Sequence, residues 1–387
     1  ASNNTAVGRS ALAANTTGTQ NTAVGALALD ASTTASNCSA FGYNALGSNT
    51  TGASNVAIGQ FSLDANTTGG SNTALGHNAL TGNTTASSNT AVGKDALEFN
   101  TTGSNNVAIG ATALDANTIG DDNVAVGNGA LGANTSAHAN TAIGHEALVA
   151  NTEGTQLAAF GAKALDSNTT GDYNVAVGYL ALHVNTTGAR NSALGRTALE
   201  SLTTGGYNTA LGMDAGYDLT TGSNNTFLGY GTNSGTATGA NRIILGWGTR
   251  GTGDAHFTFG QGTGSDRVYN AFQSNASWTR VSDQRYKEEI TDNTDCGLDF
   301  IKDLRPVTFK FKALADIDTD LPDYDESKTS RSYDKKMYGL IAQEVKQAMD
   351  DNNITDFGGW DEAEGGIQAI SQEMFIHPLI KAVQEQQ

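Results

Sequence analysis

Proline, cysteine, aromatic residues and charge are all scarce in this 387-residue chain. It contains 3 Pro and 2 Cys, with 7% aromatic and 16% charged residues. Cys38 and Cys296 lie far apart in the sequence, so they predict neither a disulfide framework nor a metal site. No run of 18 apolar residues occurs, which argues against insertion into a membrane as a helix. The chain begins at Ala1 without Met or a signal peptide, and we expect it to be part of a longer protein.

Positive charge is sparse as well, because 21 Lys and Arg stand against 39 Asp and Glu, for a formal net charge of −18. Nucleic-acid binding needs a clustered basic surface, so we exclude a nucleic-acid partner. The six His form no ligand pair, and the sequence has neither a phosphate-binding glycine loop nor a defensible pair of catalytic carboxylates. We therefore expect no metal, no cofactor and no enzyme that acts on an external substrate.

Glycine is abundant, with 47 residues, and fifteen of the glycines follow one another at intervals of 17 residues. The interval holds for fourteen steps without insertion or deletion, which marks a repeat architecture. These glycines are Gly8, Gly25, Gly42, Gly59, Gly76, Gly93, Gly110, Gly127, Gly144, Gly161, Gly178, Gly195, Gly212, Gly229 and Gly246.

Each repeat has two apolar pairs and a polar turn segment. The first pair, such as Ala23-Val24, predicts a short strand with Ala on one face and Val, Ile or Leu on the other. The second pair, such as Ala28-Leu29, predicts a further inward position. The Asn-Thr-Thr-Gly segment, as at residues 66–69, predicts a turn with left-handed backbone angles. We predict a mainly β fold over residues 1–246, a parallel β-solenoid (β-roll) with Asn and Thr ladders along its axis.

The Asn-x-Ala-Val/Ile-Gly-x-x-Ala pattern of residues 1–246 resembles the β-roll repeats of trimeric autotransporter adhesin heads. It is also similar to repeats found upstream of phage fibre chaperone domains. The resemblance implies a homotrimer of rolls packed side by side, and a row of Ala facing a neighbouring chain would suit that arrangement. The adhesin heads have a shorter period than 17 residues.

The regular period ends after Gly246, and residues 247–281 form a junction rich in Gly and aromatic residues. The alternation at residues 256–259 predicts a strand. The aromatic residues predict a cap that closes the solenoid core, a contact for a host receptor or glycan, or both. The candidate contact residues are Trp247, His256, Phe257, Tyr269 and Trp278.

Composition changes at residues 282–387, which hold all 3 Pro and are dense in Lys, Asp and Glu. Four segments stand out, at residues 282–290, 304–311, 338–345 and 379–386. Alternating apolar residues from Val307 to Phe311 predict a strand. Ile341, Val345 and Met349 share one face of a predicted helix. The last segment predicts a second helix that starts or bends near Pro378.

These four segments, in this order, resemble the intramolecular chaperone domain of endosialidase-type tailspikes and fibres. The resemblance implies a small α+β domain that helps three chains wind into a fibre and then cuts itself off between Val281 and Ser282. It implies Ser282 as the nucleophile and Lys287 as its base, with Asp283 and Arg285 supporting the loop. The two residues lie five positions apart, so they meet only across a turn or between chains.

The sequence therefore predicts a structural protein of a virion tail fibre or another extracellular appendage. The solenoid is the shaft, residues 247–281 are the tip, and residues 282–387 are the chaperone domain, at most a single-turnover self-cleaving serine peptidase. The expected partners are two further copies of the chain, a host receptor or glycan, and upstream fibre or baseplate proteins. A bacterial adhesin or a phage-derived injection machine with the same trimerisation domain is the alternative.

Overall fold

The structure is a computed structural model of the chain, and it divides into two compact units, Ala1–Tyr286 and Lys287–Gln387. It describes residues 1–263, 266–271, 279–280, 290–313, 315–319, 324, 326–327, 329–330, 336–362 and 368–387.

The first unit is built on fifteen parallel strands, one in each repeat, and this confirms the predicted solenoid. Neighbouring strands pair in register, so that Ala6 lies opposite Ala23 and Ala23 opposite Ala40. At about 4.8 Å per turn, the stack is on the order of 65–70 Å long. The strands are β1 Thr5–Val7, β2 Thr22–Val24, β3 Ser39–Phe41, β4 Val56–Ile58, β5 Thr73–Leu75, β6 Thr90–Val92, β7 Val107–Ile109, β8 Val124–Val126, β9 Thr141–Ile143, β10 Ala158–Phe160, β11 Val175–Val177, β12 Ser192–Leu194, β13 Thr209–Leu211, β14 Thr226–Leu228 and β15 Ile243–Trp247.

The solenoid core is narrow and is filled mainly by small side chains. In β2 the central Ala23 is completely buried, and so are Ala28 and Leu29 of the second apolar pair. The second pair therefore points inward, as predicted. The expectation that the Ala row faces a neighbouring chain is wrong, because that row lines the core. A 17-residue turn encloses little volume, so the Leu of the second pair fills it and the strands up to β13 contribute only Ala. In β14 and β15 the buried central residues are Phe227 and Ile244.

Two ladders of buried Asn run along the stack and confirm the predicted hydrogen-bonded rows. In one ladder, Asn66 Nδ2 donates to Asn49 Oδ1 at 2.8 Å, and Asn83 Nδ2 donates to Asn66 Oδ1 at 2.9 Å. In the other, the backbone N–H of Asn72 donates to Asn55 Oδ1 at 2.9 Å. The Thr row bonds differently, since its hydroxyls donate to backbone carbonyls of the next turn. Buried amides are costly without partners, so these ladders fix the spacing of the turns.

The left-handed residues of each turn lie outside the Asn-Thr-Thr-Gly segment, so that part of the prediction is wrong. In the fourth repeat they are Gly59 (φ 137°), Phe61 (φ 60°), Leu63 (φ 52°) and Ser71 (φ 59°). Gly69 of the Asn-Thr-Thr-Gly segment is needed for a different reason. A Cβ on it would lie 2.1 Å from a carbonyl oxygen of the next turn. Close stacking, not backbone handedness, selects glycine there.

The stack continues beyond the last regular repeat with one shortened turn. Strand β16, His256–Gln261, pairs in parallel with β15 and places Phe257 opposite Ile243, an offset of 14 residues instead of 17. The predicted strand at residues 256–259 is confirmed. Antiparallel strands β17, Arg267–Ala271, and β18, Thr279–Arg280, follow it. The sheet thus changes from parallel to antiparallel where the repeat ends.

The second unit is a small α+β fold. Its described elements are α1 Leu298–Asp303, β19 Val307–Phe309, β20 Met337–Gly339, α2 Ala342–Asp351, β21 Trp360–Glu362, β22 Gln368–Ile370, a 3₁₀ turn Gln372–Phe375 and α3 Ile376–Glu385. The strand is shorter than predicted, because it ends at Phe309. Val345 and Met349 of α2 are buried on one face, as predicted. Pro378 lies in the first turn of α3, where no helical N–H partner is required.

Candidate functional site

Two adjoining clefts at the C-terminal end of the solenoid contain two of the four described candidate residues, Trp247 and Tyr269. In the first, the Trp247 ring stacks on Tyr230 with centroids 6.1 Å apart and planes 19° apart. Each residue directly follows a repeat glycine, so the 17-residue stacking places one ring above the other. Trp247 is 61% exposed, which leaves the indole open to a ligand.

This aromatic cleft has a volume of about 460 Å³. Tyr217 joins Tyr230 and Trp247 in its lining, and Glu200 and Asp214 supply carboxylates. Exposed aromatic faces combined with a few convergent polar groups are typical of small-molecule sites. The cleft therefore offers flat apolar surface and hydrogen-bond acceptors together.

The second cleft, of about 520 Å³, is lined by Arg242, Arg250 and Arg267 together with Tyr269. Arg242 is almost fully buried, and its Nε donates to Asp254 Oδ1 at 2.9 Å. The backbone N–H of Ala240 and this arginine together hold the pKa of Asp254 below its usual value. Three guanidinium groups in so acidic a chain make this arginine cleft a local concentration of positive charge.

His256 and Tyr269 stack beside the arginine cleft, with ring centroids 5.1 Å apart and planes 9° apart. The Thr252 hydroxyl lies 2.8 Å from His256 Nδ1 and fixes the imidazole ring. Burial lowers the pKa of His256, and the positive charge of Arg242 lowers it further. Both effects favour the neutral imidazole over the protonated one.

Phe257 lies elsewhere, on the outer face of β16 beside Phe259, whose ring centroid is 5.8 Å away. It continues the column that contains Ile243 and is not among the residues that line the two clefts. Trp278 lies outside the described residues. The structure thus brings His256 and Tyr269 together, sets Trp247 in the neighbouring cleft, and separates Phe257 from both.

The second unit brings together two of the segments that stand out in the sequence. Strand β19 pairs with β20, and the Arg305 Nε donates to Glu344 Oε2 at 3.0 Å. The arginine holds the pKa of Glu344 below its usual value. The rings of Phe300, Phe357 and Phe375 pack against one another with centroids 5.1–6.3 Å apart. These contacts join the helices and the two small sheets around one core.

Comparison with known families decides the nature of this region, because residues 282–354 match the family model described as the chaperone of endosialidase. The chain carries a chaperone-of-endosialidase domain. The match covers the segments at residues 282–290, 304–311 and 338–345. It supports an intramolecular chaperone role in a fibre-like solenoid protein, and this family implies trimer formation. No curated protein and no solved structure matches the chain.

The proposed cutting site of the chaperone domain falls on residues that the structure does not describe. Val281, Ser282, Asp283, Arg285 and Lys287 all lie between residues 281 and 289, outside the described ranges. Their roles therefore stay predictions. The predicted boundaries after residues 246 and 281 also stay predictions, since the compact units divide after Tyr286.

Both cysteines are free and buried, and burial raises the pKa of each thiol. Within the described ranges, no three His, Cys, Asp or Glu side chains come close enough to share a metal ion. Among the described helices, none is long and apolar enough to cross a membrane.

Sequence reasoning missed several cleft residues, namely Tyr217, Tyr230, Arg242, Arg250 and Arg267. The period contained the signal for one of them, because Tyr230 precedes Trp247 by one repeat and occupies the same position after its glycine. The arginines carry no such signal. The shortened turn after β15 brings Asp254 back to Arg242, and the Arg267 guanidinium donates to the Arg250 carbonyl.

Proposed function

We propose that the protein forms the shaft and tip of a phage-type tail fibre or tailspike that attaches to a host surface. The observation that carries this proposal is a chaperone-of-endosialidase domain next to an uninterrupted fifteen-turn solenoid. Identical turns have nearly equal energies in every register, so three such shafts cannot align reliably by themselves. A separate domain that brings three chains together supplies the missing alignment.

An exposed apolar face on α3 supports association through the chaperone domain. Ile376, Leu379, Ile380 and Val383 lie on one side of the helix and expose 49–54% of their surface. Their spacing is the i, i+3, i+4, i+7 pattern of a helix that packs against other helices. Three copies of α3 would cover these side chains.

We propose further that the domain releases itself by cleavage before Ser282. The Ser282 hydroxyl attacks the Val281 carbonyl, and a neutral Lys287 amine takes the hydroxyl proton and passes it to the departing backbone nitrogen. Water then hydrolyses the ester on Val281 and frees the two pieces. A lysine acts as a base at neutral pH only where burial lowers its pKa, and assembly of the trimer would supply that burial.

The test is to express the chain beside Ser282→Ala, with Ser274→Ala as a matched control, and to measure intact mass and oligomeric state. We expect the chain and Ser274→Ala to split between Val281 and Ser282, while Ser282→Ala stays whole and trimeric. If Ser282→Ala also splits, the assigned nucleophile is wrong. If all three proteins stay whole and trimeric, the domain acts as a retained trimeriser without cutting.

The tip contact is proposed at the aromatic cleft, where Trp247 and Tyr230 offer stacked rings and Glu200 and Asp214 offer acceptors for sugar hydroxyls. Trp247→Ala should reduce binding of the assembled fibre to a panel of immobilised polysaccharides at least tenfold. Phe99→Ala is the matched control, because Phe99 is an exposed aromatic residue of the shaft, at 56% exposure. Equal loss in both variants would contradict a contact at the tip.

A further inference from the structure

The outer face of the solenoid sheet carries two columns of uncharged side chains along its whole length. In each three-residue strand the central residue points inward, so the first and third residues point outward. We call the column of third residues the outer apolar row; its members are Val7, Val24, Phe41, Ile58, Leu75, Val92, Ile109, Val126, Ile143, Phe160, Val177, Leu194, Leu211, Leu228 and Leu245. We call the column of first residues the flanking row; its members are Thr5, Thr22, Ser39, Val56, Thr73, Thr90, Val107, Val124, Thr141, Ala158, Val175, Ser192, Thr209, Thr226 and Ile243.

Both rows continue into the shortened turn, where Phe257 extends the flanking row and Phe259 the outer apolar row. The antiparallel pairing with β17 begins on the far side of β16. The uncharged face is therefore unbroken from the first strand to the end of the parallel stack.

No charged residue occurs in either row, although the chain has a net charge of −18. Most carboxylates of the shaft lie in a different part of the turn, near the second apolar pair, and the others lie in or directly after the Asn-Thr-Thr-Gly segment. Some lie close enough to oppose one another, since burial raises the pKa of Asp64 and the neighbouring Asp30 raises it further. Association through the carboxylate-bearing part of the turn would bring like charges together, whereas association through this face brings none.

The exposed apolar surface is also larger than a single soluble chain normally presents. Ten members of the outer apolar row expose 38–58% of their surface. At roughly 100 Å² for each aliphatic side chain and about 200 Å² for each Phe, the fifteen members together present roughly 600–700 Å², and the apolar members of the flanking row add to this area. The largest apolar patch on a typical monomer is about 300–600 Å², and a standard interface covers about 800 Å² on each partner. The row therefore has the size of an interface.

We propose that this face joins copies of the chain, with the outer apolar rows of three parallel shafts packed around a common axis. The inference rests on the proposed trimer and names the surface that forms it. A partner must be about as long as the shaft and must match its repeat of about 4.8 Å, and a second copy meets both conditions. Under rotational symmetry, residues of one turn meet their own equivalents, so an apolar row contacts only apolar rows.

Cysteine cross-linking of the whole chain tests the surface. Ile109→Cys lies in the outer apolar row, and Thr102→Cys is the matched control, an exposed residue of the turn segment that precedes the same strand. Under mild oxidation we expect Ile109→Cys to give a covalent dimer with at most two of every three chains joined, because three thiols at one axis form one disulfide. Thr102→Cys and the unsubstituted chain, whose Cys38 and Cys296 are buried, should give none.

Substitution of row residues by glutamate tests the same surface independently. Leu75→Glu with Ile109→Glu should weaken trimer association at least a hundredfold in sedimentation equilibrium, because each glutamate would enter an apolar interface. Thr68→Glu with Thr102→Glu adds the same charge at exposed turn positions and should leave association within about threefold of the original. Circular dichroism checks that the solenoid remains folded in both proteins.

The outcomes separate this inference from the proposed function. A trimer that cross-links through Thr102→Cys but not through Ile109→Cys would overturn the surface and leave the trimeric fibre standing. A trimer insensitive to the row glutamates would overturn it as well. A chain that is monomeric with an intact solenoid would overturn both the surface and the trimer.

Discussion

Replacing Asn83 by Ala should weaken the shaft locally by an amount that follows from its hydrogen bonds. Asn83 Nδ2 donates to Asn66 Oδ1 at 2.9 Å and to the Ala86 carbonyl at 3.0 Å, and Asn83 Oδ1 accepts from Asn100 Nδ2 at 2.9 Å. After the substitution the Ala86 carbonyl keeps Asn72 Nδ2, and Asn100 Nδ2 keeps a backbone carbonyl. Only Asn66 Oδ1 is left without its donor, and it stays buried.

One orphaned buried acceptor costs about 1–3 kcal/mol, and each of the two weakened partners adds about 0.5–1 kcal/mol. The expected loss is therefore about 2–5 kcal/mol, concentrated in the turns on either side. Repeat arrays transmit stability mainly between neighbouring turns, so distant turns should change little.

Hydrogen–deuterium exchange read by mass spectrometry measures this, because it reports opening free energies segment by segment. Amides in residues 66–100 should exchange at least thirtyfold faster in Asn83→Ala. Asn128→Ala is the matched control, since Asn128 is exposed and donates one bond of 3.2 Å to the Ala111 carbonyl. Equal exchange in the two variants, or a loss spread evenly over the whole shaft, would refute the reasoning.

Three further predictions concern the stacking glycines and two titrating groups. Gly59→Ala should lower the free energy of unfolding by more than the about 1–3 kcal/mol of a strained φ, because its Cβ would lie 2.3 Å from a carbonyl oxygen of the next turn. Gly231→Ala should lower it by only about 1 kcal/mol, because the nearest atom to its Cβ would be 3.8 Å away, and thermal unfolding of the two variants measures the difference. The pKa of Glu344, followed by carboxyl NMR titration, should rise in Arg305→Ala, because the guanidinium lowers it in the native protein. The ion pair with Arg305 contributes to folding stability above the ordinary glutamate pKa of about 4.3, and this contribution is lost as the pH falls through the lower pKa of the folded protein. Burial lowers the pKa of His256, so the folded state binds the proton less well than the unfolded chain does. The amides of β16 should therefore exchange with solvent faster as the pH falls below about 6.5, and His256→Gln should remove this pH dependence.

The period of the sequence was enough to predict the strands, the inward Ala28-Leu29 pair and the Asn ladders. It was not enough to say which face of the strand is inside. Alternation places Ala23 and Val24 on opposite faces, but only the volume enclosed by a turn decides that Ala goes in. The handedness of the turn failed for a related reason. Residue propensity favours Asn and Gly for positive φ, yet stacking fixes the backbone path and places Leu63 there.

The clefts were harder to predict than the shaft, because they join residues from different turns and from the shortened turn that follows them. Trp247 and His256 were recognised as candidates by type, but Arg242 and Asp254 became visible only through their contact. The break in the 17-residue period shows where the regular stack ends, but it does not show how the following turn folds back. Within the repeats, the contacts of one turn predict those of the next; beyond them, the sequence pattern predicts no contact.

The same regularity explains why a solenoid of this kind needs a non-repeating neighbour. If three shafts pack through the outer apolar row, sliding one of them by one turn sacrifices the contacts of only one strand in fifteen, so aligned and slipped assemblies differ little in free energy. Neither the uncharged rows nor the Asn ladders distinguish one turn from the next. Two features break that equivalence, the 14-residue turn at β16 and the chaperone domain. Deleting one complete repeat from the middle of the shaft should therefore leave the trimer intact, whereas removing the chaperone domain before folding should yield shafts associated in mixed registers.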